Sequence, residues 1–141
     1  MQNINIPPKI FIDADAYVAI ADNKDSNHKL AIIIAKILAK KNITTFTSNF
    51  AFGEAVTVVS QKVDLETASR MGYDIPKGVT IIDIDNLQRE KALERFSKQT
   101  SKNTRFTDMV NMVLMDELGI TTIFSFDKHY PQNGYKLLGE K

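Results

Sequence analysis

The sequence predicts an α/β fold, a mostly parallel central sheet of about five strands with helices on both faces. Two observations predict it. Short runs rich in Ile, Val, Phe and Thr alternate along the chain with longer segments of helical period. No repeat, low-complexity tract or Pro/Gly/Ser-rich linker interrupts that alternation. Strand and helix in turn imply parallel pairing, because each helical crossover returns the chain to the same end of the sheet. A chain of 141 residues is long enough to bury one core, so 1–141 is expected to be a single domain.

The elements follow in order. "KIFID" (9–13) reads as the first strand, followed by helical segments at 16–22 and 27–41. In the second of these, Leu30, Ile33, Ile34, Ile37 and Leu38 share one face, and the lysines collect at the C-terminal end, where the helix dipole favours them. "TTFTS" (44–48) is the second strand, with helices expected at 49–61 and 64–73. "GVTIIDI" (78–84) is the third strand. The helix at 86–98 has Asp85 as N-cap and Leu87, Ala92, Leu93 and Phe96 facing inward. A helix at 107–118 starts at Thr107, read as its N-cap, and stops at Gly119. "TTIFSF" (121–126) is a fourth strand and "YKLLG" (135–139) a weaker fifth.

Composition narrows the function classes. The chain is 43% hydrophobic and 25% charged with a formal net charge of +1, ordinary for a globular protein. It has no cysteine, which excludes disulfides and thiolate metal sites. No apolar run approaches the ~20 residues that span a bilayer. "MQNINIPPKI" has no basic stretch followed by an apolar one, so no secretory signal is read there and a cytoplasmic protein is expected. No Gly-x-Gly-x-x-Gly, phosphate-binding loop or Gly-x-Ser-x-Gly occurs, so nucleotide-cofactor and serine-hydrolase readings lack support.

The acids carry the chemistry. Parallel sheets bind ligands outside the carboxyl ends of their strands. Asp13 ends the first strand and Asp127 follows the fourth, so both are expected on one rim. Glu54 stands in "NFAFGEAVTVV", among apolar neighbours, where a carboxylate is costly without a partner. Asp108 lies in the first turn of its helix, where an acid also suits the dipole. Each alone has an ordinary reading as a helix cap, turn residue or exposed side chain. Together they are clustered like charges that need a compensating cation. Hard oxygen donors suit Mg²⁺ or Mn²⁺, and such sites do phosphoryl chemistry.

"IFIDADAYVAIAD", "TSNFAFGEAV", "FTDMVNMVLMDELGITTIFSFD" and "FDKHY" resemble the four motifs of the PIN-domain ribonucleases, most closely their VapC-like toxin branch. The likeness spans nearly the whole chain. It implies a three-layer PIN-like domain and a metal-dependent endoribonuclease whose catalytic and metal-binding acids match Asp13, Glu54, Asp108 and Asp127. Thr107 matches the hydroxyl residue that precedes the third acid. It further implies Mg²⁺ or Mn²⁺ as cofactor, an RNA substrate, a small antitoxin protein as partner and a homodimer. Asp15 departs from the pattern and is read as a helix cap rather than an extra metal ligand. Arg105 and Lys128, with Lys98 and Lys102, are candidates for contact with RNA phosphates.

Other residues fall to ordinary readings. Asp83 is taken as a loop or cap residue, Asp116 and Glu117 as a solvated helix face, and Met109, Met112 and Met115 as a core stripe. His28 and His129 lack metal-ligand spacing, although His129, two residues past Asp127, is placed to touch substrate. Within the resemblance, a housekeeping RNA-processing nuclease is the alternative to a toxin, and two rival functions of other classes stand beside the nuclease. A phospho-receiver domain would use Asp83 or Asp85 as acceptor but leaves Glu54 and Asp108 without a task. A non-catalytic binding domain would not need four intact acids.

Overall fold

The computed structural model describes residues 5–139, so the first four residues of the stretch read for a signal lie outside the described residues. The order is β1 (Lys9–Ile12), α1 (Ala14–Ala21), α2 (His28–Lys40), β2 (Thr44–Ser48), α3 (Asn49–Lys62) and α4 (Leu65–Gly78). Then come β3 (Thr80–Ile82), α5 (Asn86–Ser97), α6 (Phe106–Leu118), β4 (Thr122–Phe124), α7 (His129–Gln132) and β5 (Lys136–Leu137). The five strands form one sheet in the order β3-β2-β1-β4-β5, and every pairing is parallel.

Side chains alternate across β1, and this splits the core into two layers. Ile10 and Ile12 pack with Ala16, Ile34, Leu38, Ala51 and Ala55 from α1, α2 and α3. Phe11 points the other way, into Met109, Met112, Val113 and Tyr130 from α6 and α7. The methionine stripe is therefore core. Among the described residues, no helix is long and apolar enough to cross a membrane.

Local chemistry sets most boundaries. Asp85 caps α5 through a bond from Gln88 N–H (2.8 Å), and the Gln88 side chain accepts from the Asp85 N–H (2.9 Å). Gly119 ends α6 at φ 69°, a left-handed position that only glycine adopts without cost. Four expectations need correction. α4 runs past residue 73 to Gly78, because Pro76 falls in its last turn and forfeits only one helical hydrogen bond there. On α5 only Ala92 is buried; Leu87, Leu93 and Phe96 are exposed, so the apolar pattern does not face the core. Thr107 is not the cap of α6. Arg105 holds that position and Thr107 is buried inside the first turn. The short α7 is not among the expected elements; its Pro131 is accommodated because proline is tolerated in a helix's first turn.

The strand order places a switch point between β1 and β4, where the chain changes direction across the sheet. A receiver domain would show the order 2-1-3-4-5. Here β3 is an edge strand two places from β1, which takes Asp83 away from the switch point and sets that reading aside.

Candidate active site

The site begins where β1 stops. Asp13 leaves the strand with extended backbone and caps α1, its Oδ1 accepting from the Ala14 N–H at 2.7 Å. Its own N–H bonds to Phe124 O at 3.1 Å, so Asp13 lies beside the end of β4. The side chain is fully buried and satisfied. Asn111 Nδ2 donates to its Oδ1 (3.0 Å), and Tyr130 Oη donates to its Oδ2 (2.9 Å). Asn111 is held in turn by Ser48 Oγ, which donates to its Oδ1 (2.6 Å). Asn111 follows Asp108 by three residues on α6, so both project from one face of that helix.

Four carboxylates meet one guanidinium. Arg105 pairs through Nη1 with Glu54 and through Nη2 with Asp108 Oδ1 (2.8 Å) and Asp13 Oδ2 (3.3 Å). Asp127 Oδ2 lies 3.8 Å from Nη2. Asp13 and Asp108 are completely buried, whereas the Arg105 side chain is 37% exposed. Burial works against the charge of Arg105, but Asp13, Asp108 and Glu54 more than offset it and hold the guanidinium protonated. Burial raises the Glu54 carboxyl above its ordinary value despite Arg105, with Asp13 and Asp108 adding to the rise. Asp108 is raised the same way, by burial first and by Asp13, against Arg105. Burial also pushes the Tyr130 hydroxyl well up, helped by Asp13 and Asp108, so it stays a neutral donor.

Asp15 is not the cap of α1, because Asp13 takes that place. Its carboxylate reaches the neighbouring loop, accepting from the Phe126 N–H (2.8 Å) and Ser125 Oγ (3.0 Å). Burial, then Asp13, pushes its carboxyl up to about 7 against those hydrogen bonds. Asp15 thus ties the exit of β1 to the exit of β4, where Asp127 lies.

The candidate phosphate contacts divide. Arg105 turns into the carboxylates, Lys128 and Lys102 are exposed, and Lys98 pairs with Glu94 (3.1 Å). Asp83 is exposed past β3. His28 lies apart, its Nδ1 2.7 Å from Ala19 O. His129 joins the acids, with Nδ1 3.0 Å from Asp127 Oδ1. Asp108, Asp127 and His129 each offer a ligand atom within 4.8 Å of the others, a donor set that fits a divalent ion. Sequence reasoning missed Ser48, Asn111, Ser125 and Tyr130. For Asn111 a signal existed, as a lone amide in the apolar run "MVNMVLM" three residues from Asp108.

Beside the acids stands an aromatic group. Phe106 contacts Phe50 and Phe96 at ring separations of 5.6 and 5.9 Å. Phe50 is one helical turn before Glu54 on α3 and Phe106 adjoins Arg105, so partly exposed rings flank the acidic rim.

Comparison with known proteins agrees with this fold. The chain is 28% identical over 123 residues to the ribonuclease VapC1 of Aquifex aeolicus (strain VF5), covering 86% of this chain and 83% of that protein. Its fold matches the crystal structure of Mycobacterium tuberculosis VapC20, a Sarcin-Ricin loop cleaving toxin. That match has a TM-score of 0.79 at 21% identity over 89% of this chain and 95% of the other. The PIN domain model matches residues 10–134, and the chain therefore belongs to the PIN domain family.

Proposed function

We propose that this protein is a metal-dependent endoribonuclease and the toxin of a toxin–antitoxin pair, acting as one domain over residues 1–141. One observation carries the reading. Four carboxylates from four separate segments converge on a single guanidinium at the ends of β1 and β4. So much buried acid is costly for stability and suits a site that binds cations and phosphate.

Mg²⁺ or Mn²⁺, when bound, lowers the pKa of the attacking water and neutralises charge on the phosphate. Asp13, Asp108 and Asp127 are assigned to hold it, and Glu54 to ligate it or orient the water. Tyr130 and Asn111 keep Asp13 in place, and the whole network is buried, which strengthens every interaction in it. Water attacks the phosphorus, the bond to O3′ breaks, and that oxygen takes up a proton. The products are a 5′-phosphate and a 3′-hydroxyl. Lys128, exposed beside Asp127, is assigned to the substrate side, whereas Arg105 is turned into the carboxylates and Thr107 is buried.

The partner belongs to the same proposal. A small antitoxin would answer the acids with an Arg or Lys side chain, since a guanidinium meets carboxylates by charge-assisted bonds. Arg105 already demonstrates that chemistry within the chain. The protein is assigned to the cytoplasm, where its RNA substrate is. A homodimer is proposed as well, and the exposed Leu87 and Leu93 of α5 supply apolar surface for it.

The test is cleavage of structured RNA. Activity is expected with Mg²⁺ or Mn²⁺ and none with EDTA. Asp13→Asn, Glu54→Gln, Asp108→Asn and Asp127→Asn should each slow it by ~10²-fold or more. Expression alone should arrest growth, and Asp108→Asn should relieve the arrest. Near-normal cleavage by both Asp13→Asn and Asp108→Asn would place the chemistry elsewhere.

A further inference from the structure

Three aromatic side chains gather where three helix ends meet. Phe50 is the second residue of α3, Phe96 lies in the last turn of α5 and Phe106 opens α6. Phe106 is the middle ring and is anchored against the α6 side of the core. Its neighbours meet it at 59° and 74°, so neither lies flat on it and the group is not a closed stack. More than a third of Phe50 and of Phe96 stays open to solvent, at 38% and 39%. An exposed apolar patch rimmed by polar residues marks a place where something binds.

The position of the patch says what binds. Phe50 precedes Glu54 by one helical turn, so α3 carries both on one face. Phe106 follows Arg105, whose guanidinium touches Asp13, Glu54 and Asp108. A second copy of the chain seated on the rings would also close over these acids, whereas a single nucleotide would not. Between Phe96 and Phe106 the segment "SKQTSKNT" (97–104) carries two lysines and no acid. Lys102 is exposed, and Lys98 is held only by a solvent-exposed pair with Glu94, a contact worth little. Cations for phosphates therefore stand beside apolar ring faces for bases, the combination by which proteins hold unpaired RNA.

We propose that Phe50, Phe96 and Phe106 form a base-binding subsite, which takes one unpaired base of the RNA next to the phosphate held over the acids. This rests on the nuclease reading above and adds the contact that keeps the nucleotide in register for the cut. A base inside a duplex has its faces covered by its neighbours, so the nucleotide bound here is an unstacked one. Phenylalanine has no polar group with which to read a base edge. The subsite therefore sorts bases by stacking area rather than identity, adenine ahead of uracil.

The test reads the rings rather than the reaction. Full-length protein carrying ¹³C-labelled phenylalanine is titrated in EDTA with single-stranded octaadenylate, and followed by nuclear magnetic resonance and fluorescence anisotropy. Of the eight phenylalanines, Phe50, Phe96 and Phe106 should shift, each signal identified by its loss in Phe50→Leu, Phe96→Leu or Phe106→Leu. Phe50→Leu and Phe96→Leu should weaken octaadenylate about tenfold and leave an abasic ribose-phosphate strand of the same length unaffected. Phe50→Tyr, which keeps a ring face, should recover most of that loss. Failure of octaadenylate to bind, binding that leaves the three rings unmoved, or equal weakening of the abasic strand would overturn the proposal. Ring shifts that follow protein concentration without RNA would overturn it in favour of a second copy of the chain. Base-dependent ring shifts in a protein that cleaves no RNA with Mg²⁺ or Mn²⁺ would keep the subsite and remove the nuclease reading instead.

Discussion

Arg105 holds Asp108 by both oxygens. Its backbone N–H donates to Oδ2 at 3.1 Å and its Nη2 donates to Oδ1 at 2.8 Å. The first bond is the reach-back of an acid in a helical first turn to the capping residue, set by a separation of three residues. The second brings a cation to the most buried part of the acidic rim. A single residue thus starts α6, orients its key carboxylate and balances the charge around it.

Removing that cation should therefore cost stability. In EDTA at about pH 8, Arg105→Ala is expected to lose about 2 kcal/mol. Breaking a fully buried pair costs about 3–5 kcal/mol, and the partial exposure of Arg105 reduces this. The loss should shrink at about pH 5, because Glu54 and Asp108, held above the ordinary carboxyl range by burial, take up protons. Thermal melts at both pH values decide it. A variant as stable as wild type at the higher pH would mean that the carboxylates do not depend on Arg105.

Tyr130 tests the support of Asp13. Tyr130→Phe deletes the hydroxyl that donates to Asp13 Oδ2 and accepts from Asn111, leaving both short of a partner in a buried site. The expected cost is about 1–3 kcal/mol. Cleavage of RNA should slow by roughly tenfold with little change in KM, as for a positioning residue. Chemical denaturation and single-turnover rates measure the two effects. No change in either would show that Asp13 is held without the tyrosine.

Asp15 separates acceptor from charge. Asp15→Ala strips the acceptor from the half-buried Phe126 N–H and from Ser125 Oγ and should cost about 1–3 kcal/mol. Asp15→Asn keeps an acceptor oxygen there and should cost clearly less. Equal losses in the two variants, read from melts, would mean that the negative charge rather than the hydrogen bonds ties the β1 and β4 exits together.

Alkaline stability should report on Tyr135. Burial, then the 2.7 Å hydrogen bond to Asp116, pushes its hydroxyl from 10.0 up to about 12. The folded state then binds more protons than the unfolded state above pH 10, so this contribution is complete below pH 10 and is lost as pH rises toward 12. Tyr135→Phe should lose about 1 kcal/mol near neutrality and show a flatter decline across that window. Parallel declines in urea melts of the two proteins would contradict it.

Much of this molecule could be read along the chain because the signals involved are local. Strand runs such as "KIFID", the cap at Asp85 and the stop at Gly119 depend on residues within one turn of each other. Even the rim that gathers Asp13 and Asp127 follows from alternation, since parallel strands end on one side. Other features depend on contacts between distant segments. The Asp13–Arg105 contact spans 92 positions, and nothing near Arg105 marks a cation turned inward rather than toward RNA. Asp15 looked like a cap until Asp13 took that place and Phe126 offered an N–H from 111 positions away. Periodicity put Leu93 and Phe96 inside, but α5 packs through Ala92, since a helix pattern records which face is apolar and not whether anything covers it. His129 had no ligand spacing in the sequence because its neighbour Asp108 comes from another helix, and only the folded chain brings their side chains within 4 Å.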